Sequence, residues 1–508
     1  MVTQSNDGWG RQLASLESIP LDIVYLVADH CSVKDLVALS TVSKPLQNLL
    51  SDPGVWKMLY RKNAFLLPPG PYSWQSTSCL TAVLSRAEKL HSVWPSSWSC
   101  PEILRTHFMR FGSDATVSVV FGRWLLVADE STLVCYDSQC SNILGSARTL
   151  LDTSSSRRIF RVFSAGSVRE EGIQAFAVLI FKDSFTITKV LMDQGQPSGI
   201  QTVFTSAPFM AEGWTDLVDV RLHHRLLVVS IGECSSDWES SGRLVLMDID
   251  TLRRYHILAS TDDPAFDPMH TVTFFFATKT HLVKATESGD QYPVKLELKC
   301  FPLPSAHETV ESDILYPSHR SGAIYVPKMR QYTVIHDSSM ESGKTSFVVC
   351  GLALYPDGNR LDVMRVCLEP DGSISSMSFG LSRYLVTSFC FGSGEHRACG
   401  VTLGTDTRLL VFALDFHGPD SFLFKHFILD HTFPASDLVA LDTFAGTTFF
   451  VSRSSHHTSV GIVDFTRDAR KVEGRQPEYS VSYRDLIVLH LPELIGLPVR
   501  VRLEGLNV

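Results

Sequence analysis

The stretch Trp124-Leu-Leu-Val127 is followed, after a short polar turn, by Thr132-Leu-Val-Cys-Tyr136, and this pair indicates the class of the larger domain. Short apolar runs bounded by turn residues are typical of β-strands, and two that follow closely are typical of antiparallel neighbours. The same pairing recurs between residues 226–229 and 243–247 and between residues 448–451 and 460–463. From about residue 113 onward the chain is therefore predicted to be all β.

An apolar strand that ends in aspartate recurs along this region, at Asp137, Asp193, Asp248, Asp337, Asp415 and Asp464. The two longest intervals hold strands without this ending: 271–276 with 294–298, and 347–350 with 361–368 in a unit that begins at Ala323. About seven units of about 50 residues result, which is the period of the blades of a β-propeller. An aspartate at a strand end can accept hydrogen bonds from the turn that follows.

This aspartate resembles that of the Trp-Asp (WD) repeats, but the chain contains neither a Trp-Asp nor a Gly-His dipeptide, so the likeness is to a diverged WD-like propeller. Strands of a blade are covered on both faces by neighbouring blades, which agrees with the continuous apolar runs. We expect residues 113–508 to form this propeller-like domain, closed by pairing of Val499–Leu503 with the first blade near Thr116–Phe121. A two-domain β-sandwich without ring closure is the alternative.

The residues before this region have a helical pattern. Ser18 is predicted to cap a helix with Pro20 in its first turn, and Ser32 to Asp35 has the spacing of a capping box that starts a second helix. Pro45 and Pro53 divide the rest into two further helical pieces. Residues 12–66 are thus predicted to form a domain of four short helices.

The first of these helices is apolar nearly all round. Between Ile19 and Ala28 the only charged residue is Asp22, so apolar positions follow both a 21/24/25/28 and a 23/26/27 spacing. Such a helix must be covered on two sides, and a unit of about 50 residues has few partners of its own. One side is therefore expected to pack either on the rest of this chain or on another protein.

Four segments of this helical region, in order and spacing, resemble an F-box: residues 18–24, 33–39, 42–44 and 49–56. The resemblance covers roughly a tenth of the chain. It implies docking on a Skp-type adaptor, which links the chain to a cullin scaffold and to a RING subunit that delivers ubiquitin. The adaptor-facing residues that it implies are Ile19, Pro20, Leu36, Val42, Lys44 and Trp56. One departure is Pro45-Leu46, where many members have a basic residue followed by an aromatic one.

Residues 67–112 are predicted to be a packed connector. Pro68-Pro-Gly-Pro71 ends the preceding helix, a helical stretch covers residues 81–89, and the aromatic side chains of Trp74, Trp94, Trp98 and Phe108 are too many for a disordered tether. The whole chain is therefore expected to be a multidomain α + all-β protein, with an N-terminal helical F-box and then a seven-bladed β-propeller.

Composition limits the possible partners. Of 508 residues, 44% are hydrophobic and 19% charged, and the net charge of −9 disfavours a protein whose main surface binds a nucleic-acid backbone. The eleven cysteines include no Cys-x-x-Cys, the N-terminus does not resemble a signal peptide, and charges and prolines interrupt the apolar stretch 485–503. We expect an intracellular protein, in the cytoplasm and/or nucleus, that binds neither nucleic acid nor membrane.

No motif carries a convincing catalytic signal. Residues 341–345 resemble only the end of a phosphate-binding loop, Ser393 and His396 lack the strand-turn-helix context of a nucleophile, and the adjacent pairs His223-His224 and His456-His457 point to opposite faces of a strand. We predict no catalytic residue, metal or cofactor. The sequence favours a non-catalytic, substrate-recognition subunit of a ubiquitin ligase of the Skp-cullin-F-box (SCF) type, with a client protein bound by the propeller. The alternatives are a scaffold without ubiquitylation and a propeller-fold hydrolase.

Overall fold

A computed structural model describes most of the chain between residues 19 and 465. The described residues are 19–62, 67–68, 70–93, 105–140, 142–153, 158–169, 172–193, 196–206, 218–223, 225–231, 243–257, 271–277, 281–288, 294–304, 314–316, 321–326, 329–337, 345–355, 358–368, 374–381, 386–391, 397–402, 408–418, 421–432, 437–442 and 446–465.

The part of the chain described before the strands holds five helices, in the order α1 (Leu21–His30), α2 (Val33–Ser40), α3 (Lys44–Leu49), α4 (Pro53–Lys62) and α5 (Thr77–Val93). The capping box predicted at Ser32 is present, because the Ser32 side chain accepts from the Asp35 N–H and the Asp35 side chain accepts from the Ser32 N–H. At α1, however, Pro20 precedes the helix rather than lying in its first turn, and its carbonyl accepts the N–H groups of Ile23 and Val24. Ser18 lies outside the described residues.

Within the described residues the strands form seven antiparallel sheets, which we number as blades 1 to 7. Blade 1 contains β2 (Thr116–Val120), β3 (Trp124–Asp129), β4 (Thr132–Asp137) and β5 (Arg148–Asp152). Blade 2 contains β6 (Ile159–Arg169), β7 (Gly172–Phe181), β8 (Phe185–Asp193) and β9 (Gln196–Thr205). Blade 3 contains β10 (Val218–His223), β11 (Leu226–Ile231), β12 (Arg243–Asp248) and β13 (Arg254–Ile257), with β17 (Ile314–Leu315) added in parallel.

The remaining four blades follow the same pattern. Blade 4 contains β14 (Thr271–Ala277), β15 (His281–Ser288), β16 (Val294–Pro302) and β18 (Ser321–Val326). Blade 5 contains β19 (Met329–Asp337), β20 (Thr345–Tyr355), β21 (Gly358–Leu368) and β22 (Ile374–Leu381). Blade 6 contains β23 (Val386–Phe391), β24 (Arg397–Thr402), β25 (Arg408–Gly418) and β26 (Ser421–Thr432). Blade 7 contains β27 (Asp437–Asp442), β28 (Thr447–Arg453), β29 (His457–Asp464) and β1 (Arg105–Gly112).

The seven sheets form a closed ring. Each blade contacts the next, through β2 and β6, β6 and β10, β10 and β14, β18 and β22, β21 and β23, and β23 and β27, and β27 then contacts β2. Apolar clusters fill the spaces between blades, for example the cluster of blades 1 and 2 around Leu126 and Leu179. The architecture is that of a seven-bladed β-propeller behind a helical unit, so the predicted α + all-β class is confirmed and the β-sandwich alternative is wrong.

Ring closure differs from the sequence-based expectation. The outer strand of blade 7 is β1, which pairs along its whole length with β29, from Arg105 opposite Asp464 to Gly112 opposite His457. The segment Val499–Leu503, predicted to close the ring, lies outside the described residues. The last eight residues of the predicted connector thus belong to the propeller. Local patterns could not reveal this pairing because its partners are more than three hundred residues apart.

A glycine lies at the centre of this closure. Gly461 on β29 stands between Phe108 on β1 and Phe450 on β28, and the two rings meet edge to face at 5.8 Å between centroids. A Cβ atom at residue 461 would lie 2.0 Å from the Phe450 ring. The missing side chain therefore lets the two aromatic rings pack across the closing strand.

We expect Gly461→Ala to destabilise the propeller by about 1–3 kcal/mol, because the buried Phe450 ring has to move out of a packed site. The matched control is Gly199→Ala on β9, where a Cβ atom meets nothing within 4 Å and the change should stay within about 0.5 kcal/mol. Denaturant unfolding of both variants measures the difference. Equal stabilities would contradict this account of the closure.

The predicted aspartates mostly occupy equivalent places. Asp137, Asp193, Asp248 and Asp464 each end the third strand of a blade, and Asp415 lies near the end of the third strand of blade 6. Asp337 is the exception, because it ends β19, the first strand of blade 5. The unit predicted to begin at Ala323 is also displaced, since Ala323 lies on β18, which completes blade 4, and blade 5 starts at β19.

Two of these aspartates join an arginine to a turn. Asp137 accepts the Arg123 Nε and Nη2 donors at 3.0 and 2.6 Å and the Gln139 N–H at 2.9 Å. Asp248 lies 3.2 Å from the Arg225 Nε atom and accepts the N–H groups of the two residues at 250 and 251. In both blades the arginine comes from the connection between the first and second strands. The interaction therefore links the connection between the first and second strands to the connection between the third and fourth strands, at the same end of the blade.

The pKa of Asp137 should make the propeller sensitive to acid. Burial acts to raise this pKa, but the hydrogen bonds from Arg123 and from the Gln139 N–H outweigh it, and the net pKa is lowered. A lowered pKa stabilises the folded state above the unfolded-state value of about 3.9, and this contribution disappears as the pH falls through the folded-state pKa. We expect Asp137→Asn to make the free energy of unfolding less dependent on pH below about pH 4. The control is the unchanged protein, and equal pH profiles of the two proteins would contradict the prediction.

Helix α5 is the main described element between the first four helices and the propeller. Helix α5 extends beyond the predicted 81–89, and its Leu80 and Leu84 belong to the same apolar core as α1, α2 and α4. Two residues after Leu84, in the middle of α5, Arg86 lies 3.9 Å from Asp464 at the end of β29. Helix α5 therefore contacts both the helical unit and blade 7. Trp94 and Trp98 lie outside the described residues.

Candidate functional site

The helical unit has a core of its own. Its fully buried side chains come from α1, α2, α4, α5 and the turn after α3: Ala28, Val33, Leu36, Leu50, Val55, Trp56, Leu59, Tyr60, Leu80 and Leu84. The Trp56 indole N–H donates to the Leu50 carbonyl at 2.7 Å, which fixes α4 against the end of α3. Hydrogen bonds from the Lys34 N–H to Glu88 and from the Thr77 hydroxyl to the Ser51 carbonyl add α5 to this unit.

Two of the six residues implied to face an adaptor lie in this core. Leu36 is 1% exposed and Trp56 is 2% exposed. Neither side chain can contact another protein while the helices stay folded, so the expectation that they form the contact surface is corrected. Both residues instead support the surface from inside, because they pack beneath the helices that carry it.

The other four residues lie at or near the surface. Val42, in the turn between α2 and α3, is 70% exposed, and Pro20 precedes α1 with its ring exposed. Lys44 is exposed at the start of α3, where its ammonium donates to the Gln47 side chain at 2.8 Å. Ile19 is half-buried.

The structure distinguishes the two apolar stripes of α1. The 24/25/28 side packs on the helical core, with Ala28 fully buried and Val24 and Tyr25 half-buried. The 23/26/27 side is exposed, and its most exposed member is Leu26 at 61%. Together with Leu21 and Val42 these residues form what we term the apolar set: Leu21, Ile23, Leu26, Val27 and Val42.

Ile23, Leu26 and Val27 on α1 are not among the residues that the resemblance implies, but the sequence does mark them by their spacing. Their 23/26/27 spacing is that of one helix face, and it was recognised as apolar. Spacing alone does not show which of two apolar faces the protein itself covers. The six adaptor-facing positions that the resemblance implies do not include Ile23, Leu26 and Val27.

A groove adjoins the apolar set. It has a volume of about 640 Å³ and lies between the start of α1 and the junction of α3 with α4, lined by Leu21, Pro45, Asn48, Leu49, Ser51, Asp52 and Pro53. At this junction the Asp52 carboxylate accepts the Gly54 N–H at 2.6 Å and the Tyr25 hydroxyl at 3.4 Å. Burial, and next the charge of Asp52, raise the pKa of the Tyr25 hydroxyl, which therefore remains protonated and holds α1 to the start of α4.

The propeller offers fewer defined features among its described residues. On blade 2, Arg158 forms an ion pair with Asp114 and its guanidinium carbon lies 5.6 Å from the centroid of the Phe160 ring. His457 is hydrogen-bonded through Nδ1 to Ser454 at 3.1 Å, while His456 is exposed in the same turn. Residues 341–344, Ser393 and His396 lie outside the described residues.

Neither metal-binding clusters nor membrane-spanning helices occur in the part of the chain that the structure describes. That part holds no group of three or more His, Cys, Asp or Glu side chains placed to bind a metal ion. None of its helices has the length and hydropathy needed to cross a bilayer.

Comparison with known proteins identifies the helical unit. Residues 16–58 match the family model of the F-box domain. The chain is therefore one that carries an F-box domain, followed by a β-propeller. None of the curated proteins matches the sequence.

Solved structures similar to this chain are distant. A WD40 domain of SCAP from fission yeast is 9% identical, covers 70% of this chain and 83% of its own, and gives a TM-score of 0.36. The β-propeller domain of the Trilobed protease from Pyrococcus furiosus is 9% identical, with 72% and 100% covered and a TM-score of 0.37. A chain of the mitotic checkpoint complex is 11% identical, with 73% and 94% covered and a TM-score of 0.36.

Proposed function

We propose that this protein is the substrate-recognition subunit of an SCF-type ubiquitin ligase. The observation that carries the proposal is the apolar set, because an F-box domain that leaves five large apolar side chains exposed has a surface suited to a protein partner. The partner is a Skp-type adaptor. Through it the chain joins a cullin and a RING subunit.

The proposed adaptor surface combines the apolar set with three of the residues that the sequence implied. Ile19 and Pro20 continue α1 at its start, and Lys44 lies two residues beyond Val42. Burying an aliphatic side chain fully contributes about 1.5–3 kcal/mol, so Leu26 and Val42, the most exposed of the set, should contribute most of the affinity. Lys44 adds a positive charge at the rim of this surface, where it is expected to affect association rate more than affinity.

The propeller is proposed to bind the client protein, in the cytoplasm and/or nucleus. The chain itself would form no covalent intermediate with ubiquitin. Its contribution is proximity, because a client lysine held near a charged ubiquitin carrier reacts in an effectively intramolecular step. The contacts of α5 with the helical core and with Asp464 support this role, since they fix the client domain relative to the adaptor surface.

Co-purification tests the proposal. The intact chain is mixed with a purified Skp-type adaptor and a cullin, and both should co-elute with it on size exclusion. In cells, a chain that begins at residue 67 should retain bound clients and increase their abundance. Adaptor binding without cullin recruitment or client accumulation would instead favour a scaffold that works without ubiquitylation. Failure of the adaptor to bind would overturn the proposal.

A further inference from the structure

Three blades have a buried aspartate at the end of their third strand: Asp137 in blade 1, Asp248 in blade 3 and Asp464 in blade 7. Their places in the sheets are equivalent, because each lies opposite the first residue of the second strand, which is Trp124, Leu226 and Thr447, respectively. A carboxylate that is taken out of water needs an ionic or hydrogen-bonding partner. Each of the three is therefore expected to have a cationic side chain nearby.

In blades 1 and 3 this side chain comes from the same blade. Arg123 and Arg225 each stand immediately before the second strand, and each guanidinium contacts the aspartate of its own blade. The carbonyl of each arginine also accepts the N–H of the residue after the aspartate, from Ser138 at 2.9 Å and from Ile249 at 2.8 Å. This backbone hydrogen bond marks the equivalent position in another blade.

Blade 7 has a glycine at the marked position. Gly446 is buried, stands immediately before the second strand, and its carbonyl accepts the Phe465 N–H at 2.9 Å, so the backbone hydrogen bond of blades 1 and 3 is kept. Its φ of 63° is one that glycine adopts without strain. Blade 7 therefore has the aspartate, but no side chain at the position from which Arg123 and Arg225 reach theirs.

The arginine that faces Asp464 comes from outside the propeller. Arg86, on α5, has its Nη2 atom 3.9 Å from the Asp464 carboxylate, and both side chains are largely buried. Leu84, two residues earlier on the same helix, lies in the core of the helical unit. Helix α5 thus supplies to blade 7, from another domain, the group that Arg123 and Arg225 supply within their own blades.

We propose that blade 7 contains an arginine socket, formed by Asp464 and Gly446, and that Arg86 fills it as the positioning residue that holds the helical unit on the propeller. Because Leu84 anchors α5 in the helical core, a guanidinium held in the socket fixes the orientation of both domains. The consequence for ubiquitin transfer, a client presented in one orientation, rests on the proposed function. The contact itself depends on neither adaptor nor client.

A distance measurement within the purified full chain tests the role of Arg86. Nitroxide-bearing non-natural residues replace Ala38, exposed on α2, and Gln201, exposed on β9, so that each domain carries one label. We expect one narrow distance distribution by pulsed electron paramagnetic resonance in the unchanged chain. In Arg86→Ala the distribution should become at least about twofold wider, because domains joined by few contacts move relative to each other. An unchanged width would overturn the proposal.

Substitutions of Gly446 test the socket from the side of the propeller. Gly446→Arg gives blade 7 the arginine that blades 1 and 3 have, so it should expel Arg86 and widen the distribution as Arg86→Ala does. Gly446→Ala is the matched control, because it imposes the same backbone strain at positive φ without a guanidinium, and it should keep the narrow distribution. Equal widths for the two Gly446 variants would overturn the socket.

A conservative variant separates the ionic contact from a loss of folding. Arg86→Lys keeps the charge, so its distribution should stay closer to that of the unchanged chain than to that of Arg86→Ala, and both variants should keep the helix content seen by circular dichroism. An Arg86→Lys chain as wide as Arg86→Ala would contradict an ionic contact. The Arg86 variants should also bind a purified Skp-type adaptor as the unchanged chain does. If no adaptor binds any of them, the proposed function fails, whereas the distances still decide whether Arg86 fills the socket.

Discussion

Replacing Leu26 and Val42 together by aspartate is expected to reduce binding of a Skp-type adaptor by at least about a hundredfold, without unfolding the helices. Both side chains are among the most exposed apolar groups of the protein, so the free chain can solvate the new carboxylates. In the complex the carboxylates would be buried without partners, and each such group costs several kcal/mol. Binding is measured by titration calorimetry with the purified adaptor, and helix content by circular dichroism.

The matched control for this experiment is Ala82→Asp, an exposed apolar position on α5 away from the apolar set. It should bind the adaptor as the unchanged protein does. Leu36→Asp makes a useful contrast, since Leu36 is buried in the helical core and its replacement should unfold the F-box instead of testing the surface. Normal affinity of the Leu26 and Val42 double variant would show that the adaptor surface lies elsewhere.

Two shortened chains that differ by only eight residues should behave very differently. A chain that begins at residue 105 keeps β1 and should fold into a closed propeller, whereas a chain that begins at residue 113 lacks the outer strand of blade 7. The shorter chain loses the packing of Met109 and Phe108, and burial of each such side chain contributes about 1.5–3 kcal/mol. Together with the lost strand pairing, this loss is comparable to the whole stability of a typical domain, about 5–15 kcal/mol.

Thermal unfolding and size exclusion measure this difference. We expect a cooperative transition and a monomer for the chain that begins at 105, and aggregation for the one that begins at 113, because β29 would present an unpaired edge with buried Val460 and Ile462 behind it. A variant of the longer chain with Met109→Asp serves as a further control and should resemble the shorter one. Equal stability of the two shortened chains would show that β1 is dispensable for closure.

Much of the helical unit could be predicted from sequence because its signals are local. The capping box at Ser32 and the prolines at positions 45 and 53 act on their own turn of the chain, and all of them lie at helix starts in the structure. The start of α1 was misplaced because a proline is compatible with both the cap and the first turn. The length of α5 was underestimated although Ser76 caps its start and accepts the Cys79 N–H at 3.3 Å, because several serines in this stretch could equally have been the cap.

The propeller could be predicted as a class, but its blade boundaries and closure could not be fully predicted. Aspartate after a strand is a turn signal that follows any strand, so Asp337 at the end of a first strand was not distinguishable from Asp248 at the end of a third. Closure depends on pairing between Arg105–Gly112 and His457–Asp464. The periodicity of either segment shows that it is a strand, but it does not show which distant strand is its partner.

The candidate site shows a similar limit. The helical spacing predicted two apolar faces on α1, and only the packing of Ala28 against the core shows which one remains exposed. Leu36 and Trp56 were assigned to the surface by resemblance, but they are large apolar residues that the small helical unit requires for its own core. Sequence alone therefore identified the apolar positions of these helices but not which of them the fold buries.

The position of β1 has a consequence for protein products that lack the F-box. If the proposed function holds, a cleavage between residues 67 and 104 would leave the propeller closed and able to hold clients without passing them to a ligase, and the product would act as a dominant-negative inhibitor. The same event a few residues further on, beyond Gly112, would remove the closing strand and leave no stable trap. Whether a shortened product inhibits or is inactive is thus decided by whether it retains β1.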